Sequence, residues 1–255
     1  MNTDRTSQNR LAAPYSLSIR HTLAITLLAC GFAVHADPPP TGIAPVTVPA
    51  GGFSIDGKLV SDGLSGDWLP GSGGTGGVLD NNGQPINAAT TFHFIDKYNS
   101  SADNTFTSGS KWDEDPNAWT WTKASASSKN DMNNVLLHVT TDTNLHTWLI
   151  VAADRLSTSG DSYIDFEFLQ NTLVVTNKGH FFSAGPDGGR TVNDLVLSVD
   201  FNVGGSVSDF LAWRWLPNGS GGFGYVDSTS ALPAGGVFLA ANTTNVPVAF
   251  GAFGQ

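Results

Sequence analysis

From Phe53 onward the chain is written in short runs of Val, Ile, Leu, Thr, Phe and Trp, each broken by Gly, Asn, Asp or Ser. Within the runs, apolar and polar residues alternate. Leu195, Leu197, Val199 and Phe201 fall on one face, with Val196, Ser198, Asp200 and Asn202 opposite. Leu211, Trp213 and Trp215 oppose Ala212, Arg214 and Leu216. A period of two is a strand buried mostly on one side, and no stretch carries the 3.6 period of a helix. Strands are predicted at 53–60, 90–96, 104–108, 118–123, 134–140, 145–153, 162–169, 172–177, 194–203, 207–216, 222–226, 236–240 and 246–252. So many short strands with turn chemistry between them predict an all-β chain: an antiparallel two-sheet β-sandwich of the jelly-roll or lectin-like kind. No internal repeat extends beyond a few residues.

The residues before Phe53 have a different character. Arg5, Arg10 and Arg20 precede an apolar run, Thr22 to Val34, that is too short to span a bilayer. Small side chains at Val34 and Ala36 then set a cleavage point before Asp37. Residues 1–36 thus read as a secretory signal peptide, which addresses the protein to the cell exterior or surface and leaves no transmembrane segment in the mature chain. A rival reading takes Leu27-Leu28-Ala29-Cys30 as a lipoprotein box, with lipid anchoring through Cys30. Residues 37–52, rich in Pro and Gly, read as an extended linker. Residues 53–255 form the sandwich domain. A predicted strand lies close to Gln255, and we read the sequence as the front part of a longer protein, truncated at its C-terminus.

Charge and cysteine exclude several classes. Without residues 1–36 the formal net charge goes from −10 to −12, so phosphate backbones are repelled and nucleic acid is excluded as a partner. The one cysteine lies in the signal, so no disulfide staples the domain. Glu occurs only at 114 and 167; the other carboxylates are Asp, which favours turns and metal loops. There is no G-x-S-x-G nucleophile elbow and no G-x-x-x-x-G-K phosphate loop. The long Gly-rich segment 61–89 reads equally as a functional loop or as a flexible surface insertion.

One stretch could carry chemistry. In Asp161-Ser-Tyr-Ile-Asp-Phe-Glu-Phe168, strand geometry puts Tyr163, Asp165 and Glu167 on one face. Neighbouring carboxylates perturb each other's pKa, and such pairs serve glycoside hydrolysis. Ile164 to Leu169 resembles the catalytic strand of family 16 glycoside hydrolases, which are β-jelly rolls with an E-I-D-F-E-F-type motif. The resemblance implies an assisting role for Asp165 and an acid/base role for Glu167. Tyr163 stands where that family has its nucleophilic Glu, and a retaining mechanism needs two carboxylates.

A broader resemblance runs through Asp56-Gly57, Ser65-Gly-Asp-Trp68, Asn104 to Lys111, Trp119-Thr-Trp121, Ala153-Asp-Arg155, Gly160-Asp161 and Asp165-Phe-Glu-Phe168. Together these resemble a domain found near the N-terminus of large secreted bacterial surface proteins. That domain is similar to concanavalin-A-like and carbohydrate-binding-module sandwiches. It has no established catalytic set, so the resemblance implies location and fold.

Two further groups matter for ligands. Asp113-Glu114-Asp115, ahead of Pro116, reads either as a solvated acidic loop or as part of a calcium site, although EF-hand spacing is absent. His93, His138, His146 and His180 lack zinc-ligand spacing. Sugar-binding sandwiches use flat aromatic platforms beside hydrogen-bonding side chains. Trp68 and Trp112, with polar and glycine neighbours, are the platform candidates; Trp119, Trp121, Trp213 and Trp215 read as core. The expectation is an exported non-catalytic module with no obligate cofactor, binding glycan or a cell-surface ligand as part of an adhesin. Its binding residues are Trp68, Trp112, Tyr163, Asp165 and Glu167. The alternatives are a polysaccharide-acting enzyme using Asp165 and Glu167, and a structural spacer.

Overall fold

A computed structural model describes residues 46–47 and 52–241, apart from 62–64, 99–100, 102, 108–110, 177, 203 and 206. Residues 1–36, expected to be a signal peptide, with Cys30 among them, and the strand predicted at 246–252 lie outside the described residues. The described chain is all-β and sandwich-like, with antiparallel sheets throughout.

In chain order the strands are β1 (Val46–Thr47), β2 (Ser54–Ile55), β3 (Thr91–Ile95), β4 (Asn104–Thr107), β5 (Thr120–Lys123), β6 (Asn134–Thr141) and β7 (Thr147–Ala153). They continue as β8 (Ser162–Phe168), β9 (Leu173–Val175), β10 (Phe181–Ser183), β11 (Leu195–Phe201), β12 (Val207–Pro217) and β13 (Phe223–Asp227). A four-stranded sheet has the order β13-β12-β11-β8 and a three-stranded sheet the order β3-β6-β7. The pairs β1-β2, β4-β5 and β9-β10 complete the set.

Four segments depart from the sequence expectations. The linker contributes β1, whose Val46 and Thr47 pair with Ile55 and Ser54. The strand predicted at 236–240 joins no ladder. It follows a turn in which Gly236 N–H donates to the Pro233 carbonyl at 2.8 Å. Val237, Leu239 and Ala241 instead pack by side chain, with Leu232, on Val199, Phe201 and Phe210. β10 was not predicted, because three residues carry too little periodicity to register.

The largest departure is the Gly-rich segment, part of which packs into the core. It lays three extended stretches side by side. Ser54 N–H donates to Gly66 O at 2.7 Å, Asp67 N–H to Gly76 O at 2.8 Å and Leu79 N–H to Trp68 O at 2.9 Å. The bridges Phe53–Gly66, Val60–Leu69 and Asp67–Gly77 are parallel. Phe53, Trp68, Leu69 and Leu79 then form one core with Leu136 and Ile150 of the three-stranded sheet. Glycine permits the close approach: a Cβ on Gly77 would lie 2.4 Å from Pro70 N.

Candidate functional site

β8 contributes the stretch singled out from sequence, and its register with β11 and β12 defines the site. Tyr163 lies opposite Asp200, Asp165 opposite Ser198, and Glu167 opposite Val196. Asp200 in turn faces Asp209, and Val196 faces Trp213. Tyr163, Asp165 and Glu167 therefore share one sheet face with Ser198, Asp200, Asp209, Trp213 and Trp215, as period two predicts. The face divides into a closed end and an open end.

The closed end is built around Arg190, which is 1 % exposed. Its Nε donates to Glu167 Oε1 at 2.7 Å, Nη1 donates to the Glu114 carbonyl at 2.6 Å and Nη2 to the Lys111 carbonyl at 3.2 Å. The guanidinium carbon lies 4.8 Å from the Trp215 ring centroid, 5.0 Å from Tyr225 and 5.2 Å from Trp119. Tyr225 donates its hydroxyl to the same Glu167 oxygen at 2.6 Å. Burial, and next the Glu167 carboxylate beside it, push the Tyr225 phenol well above its ordinary pKa. Glu167 is thus a paired, hydrogen-bonded carboxylate, 23 % exposed at its side chain. Arg190 reaches it from a turn in which Gly189 adopts φ +76° and passes so close to Asp115 that a Cβ would lie 2.1 Å from Asp115 Oδ1.

The open end is at Tyr163, which is 67 % exposed. An open groove of about 630 Å³ is lined here by Tyr163, Asp200, Asn202, Ser208, Lys129 and Asn130, among others. The ladder between β11 and β12 shifts register between Asp200 and Phe201, so Ser208 is an extra residue at a β-bulge on the groove's rim. Asp165 accepts a 2.5 Å hydrogen bond from Ser198 Oγ. Partial desolvation is the main cause that raises the Asp165 pKa; the Ser198 bond opposes it, and the Asp200 and Glu167 carboxylates add to it. Asp200 is raised by desolvation and then by Asp209.

The remaining sequence candidates fall elsewhere. Trp68 is 4 % exposed, edge-on to Phe53 at 4.9 Å between centroids, and presents no face to a ligand. It is a correction to the platform reading: the glycines around it pack backbone closely instead of leaving the indole in water. Trp112 is half-buried, 5.1 Å from Trp213 and 4.9 Å from Tyr225, and helps roof the closed end. The carboxylates of Asp113, Glu114 and Asp115 diverge. Asp113 accepts from Tyr225 N–H, Asp115 caps the 3-10 turn Pro116–Ala118 through Asn117 N–H, and Glu114 sits 3.8 Å from Lys111 Nζ. Among the described residues no group of three or more His, Cys, Asp or Glu side chains is placed to hold a metal.

Sequence reasoning missed the Arg190 clamp altogether. Its partners come from positions 111, 114, 119, 167, 215 and 225, and no local pattern links them. The available signal was Arg190 itself, a cation following Asp-Gly-Gly in a chain with only 12 Lys and Arg. Comparison with family models, with curated proteins and with solved structures finds no match for this chain.

Proposed function

We propose that this protein is an exported, non-catalytic β-sandwich module that binds saccharide in the groove at the open end of the four-stranded sheet. The observation that carries the reading is Tyr163, a large aromatic ring left 67 % exposed on a sheet face. Around it stand the amides of Asn130 and Asn202, the hydroxyl of Ser208 and the carboxylate of Asp200. A flat apolar ring flanked by donors and acceptors matches a pyranose, which offers one apolar face and a rim of hydroxyls. Export follows from the N-terminal signal pattern, and a role in a surface or adhesive protein from the broader resemblance.

The clamp on Glu167 favours binding over hydrolysis. A general acid must reach the leaving-group oxygen, whereas Glu167 Oε1 is already engaged by the Arg190 guanidinium and the Tyr225 hydroxyl. The enzyme reading keeps one specific support, the raised pKa of Asp165. Both are tested together by incubating the chain with insoluble and soluble polysaccharides and measuring retention and released reducing ends. Retention without product, lost in Tyr163→Ala at unchanged melting temperature, is the expected result. Release of reducing ends that disappears in Glu167→Gln would replace this reading with the enzyme. No retention on any polysaccharide by well-folded protein would leave a structural spacer.

A further inference from the structure

We infer that the groove beside Tyr163 selects saccharides that carry free, protonated amines, as in glucosamine polymers, over neutral or N-acetylated ones. This rests on the saccharide-binding reading and names its substrate class.

The argument begins with the exposed ring. Tyr163 lines the groove with an exposed ring, and the π face of such a ring attracts a cation as well as an apolar sugar face. The groups around it are unequal in charge. Asp161 and Asp200 line the groove, and Asp165 and Asp209 stand on the same sheet face immediately beyond. The lining holds one cation, Lys129, and its ammonium already donates to the Asp161 carbonyl at 2.9 Å. Among the described residues, Asp165, Asp200 and Asp209 form no ion pair. Asp200 and Asp209 are direct cross-strand partners, an arrangement of like charges that destabilises a sheet. The closed end of the same face treats its carboxylate differently: Glu167 has Arg190. One end pairs its carboxylate with a protein cation, and the other leaves Asp200 and Asp209 without an ion pair beside an exposed aromatic ring. A ligand amine supplies the missing charge there. A neutral hydroxyl or an acetamide satisfies the amides of Asn130 and Asn202 equally well but cannot offset the repulsion.

The test titrates the full chain calorimetrically with two probes, a hexamer of glucosamine and a hexamer of N-acetylglucosamine, which share linkage and length and differ in charge. The glucosamine hexamer is expected to bind about tenfold more tightly, the combined effect of two well-placed exposed ion pairs. Its advantage should shrink as salt shortens the screening length. Asp200→Asn should erase most of the advantage while keeping the wild-type melting temperature or raising it. Tyr163→Ala should weaken both hexamers. Equal affinity for the two would overturn amine selection and leave the saccharide reading intact. Binding of neither would overturn the inference, with the polysaccharide retention assay deciding the reading beneath it. A lysine hexamer that binds as tightly as the glucosamine hexamer would also overturn it, because charge alone would then suffice.

Discussion

Replacing Arg190 with methionine tests the account of the closed end most directly. The substitution keeps a long apolar stem among Trp119, Trp215 and Tyr225 but removes the guanidinium. Glu167 then loses its cation, and the carbonyls of Lys111 and Glu114 lose their donors. Breaking a buried ion pair from one side costs about 3–5 kcal/mol. The partial exposure of Glu167 places this pair at the low end of that range, and each stranded carbonyl adds about 1 kcal/mol. Water admitted to the gap recovers part of this, so a net loss of about 4 kcal/mol is expected. In a domain of this size each kcal/mol moves the melting temperature by about 2–4 °C, so Arg190→Met should melt about 8–16 °C below the wild type. Glu167→Gln retains an oxygen for Arg190 Nε and the Tyr225 hydroxyl but leaves the buried guanidinium without a counter-charge. It should cost about 3 kcal/mol, or about 6–12 °C. Calorimetric melts at neutral pH, followed in parallel by near-ultraviolet circular dichroism of the tryptophans, measure both. An Arg190→Met protein melting within about 2 °C of the wild type would refute the clamp as a stabilising unit. A Glu167→Gln protein with unchanged melting and abolished polysaccharide cleavage would assign that residue to catalysis.

Two other outcomes follow from the fold. Trp68→Ala should destabilise by about 3–5 kcal/mol in urea unfolding, the cost of emptying a core aromatic site, whereas a surface platform would lose less than about 1 kcal/mol. Asp142 governs part of the acid limb. Burial acts to raise its pKa, but the Trp148 indole, the His146 and Asn144 backbone N–H groups and the His146 ring donate to it and hold it at about 2. Its folded value thus lies below the ordinary 3.8. The stability it contributes is fully present above 3.8 and is lost as pH falls toward 2. Thermal melts from about pH 5 to about pH 2 should fall less steeply for Asp142→Asn than for the wild type, and parallel curves would contradict the assignment.

The strands of the four-stranded sheet were legible because apolar and polar residues alternate along them. Their burial is less one-sided than that alternation implies: β11 buries Val196 and Ser198 on one face and Val199 and Phe201 on the other, and β12 buries Ala212 and Trp215 on opposite faces. The Gly-rich segment was not legible. Its core residues Trp68, Leu69 and Leu79 follow no period, since the coil turns at glycines instead of repeating a regular step. The same loss of information affects 236–240, where apolar residues cover a sheet without joining one. In the candidate site, the shared face of Tyr163, Asp165 and Glu167 was readable from spacing alone. The contrast between its two ends was not. That contrast depends on Arg190, which reaches Glu167 across 23 positions, and on the cross-strand meeting of Asp200 with Asp209.

The strand order β13-β12-β11-β8 leaves β8 at a margin of its sheet among the described residues. A seven-residue marginal strand rich in aromatic and β-branched residues is a template on which another chain can add itself, the first step toward aggregation. Asp165, exposed on this strand, interrupts that template with a carboxylate, whereas Glu167 is already paired with Arg190. Asp165, one of the two carboxylates that invite a hydrolase reading of this stretch, thus also sets a charge on this edge of the sheet.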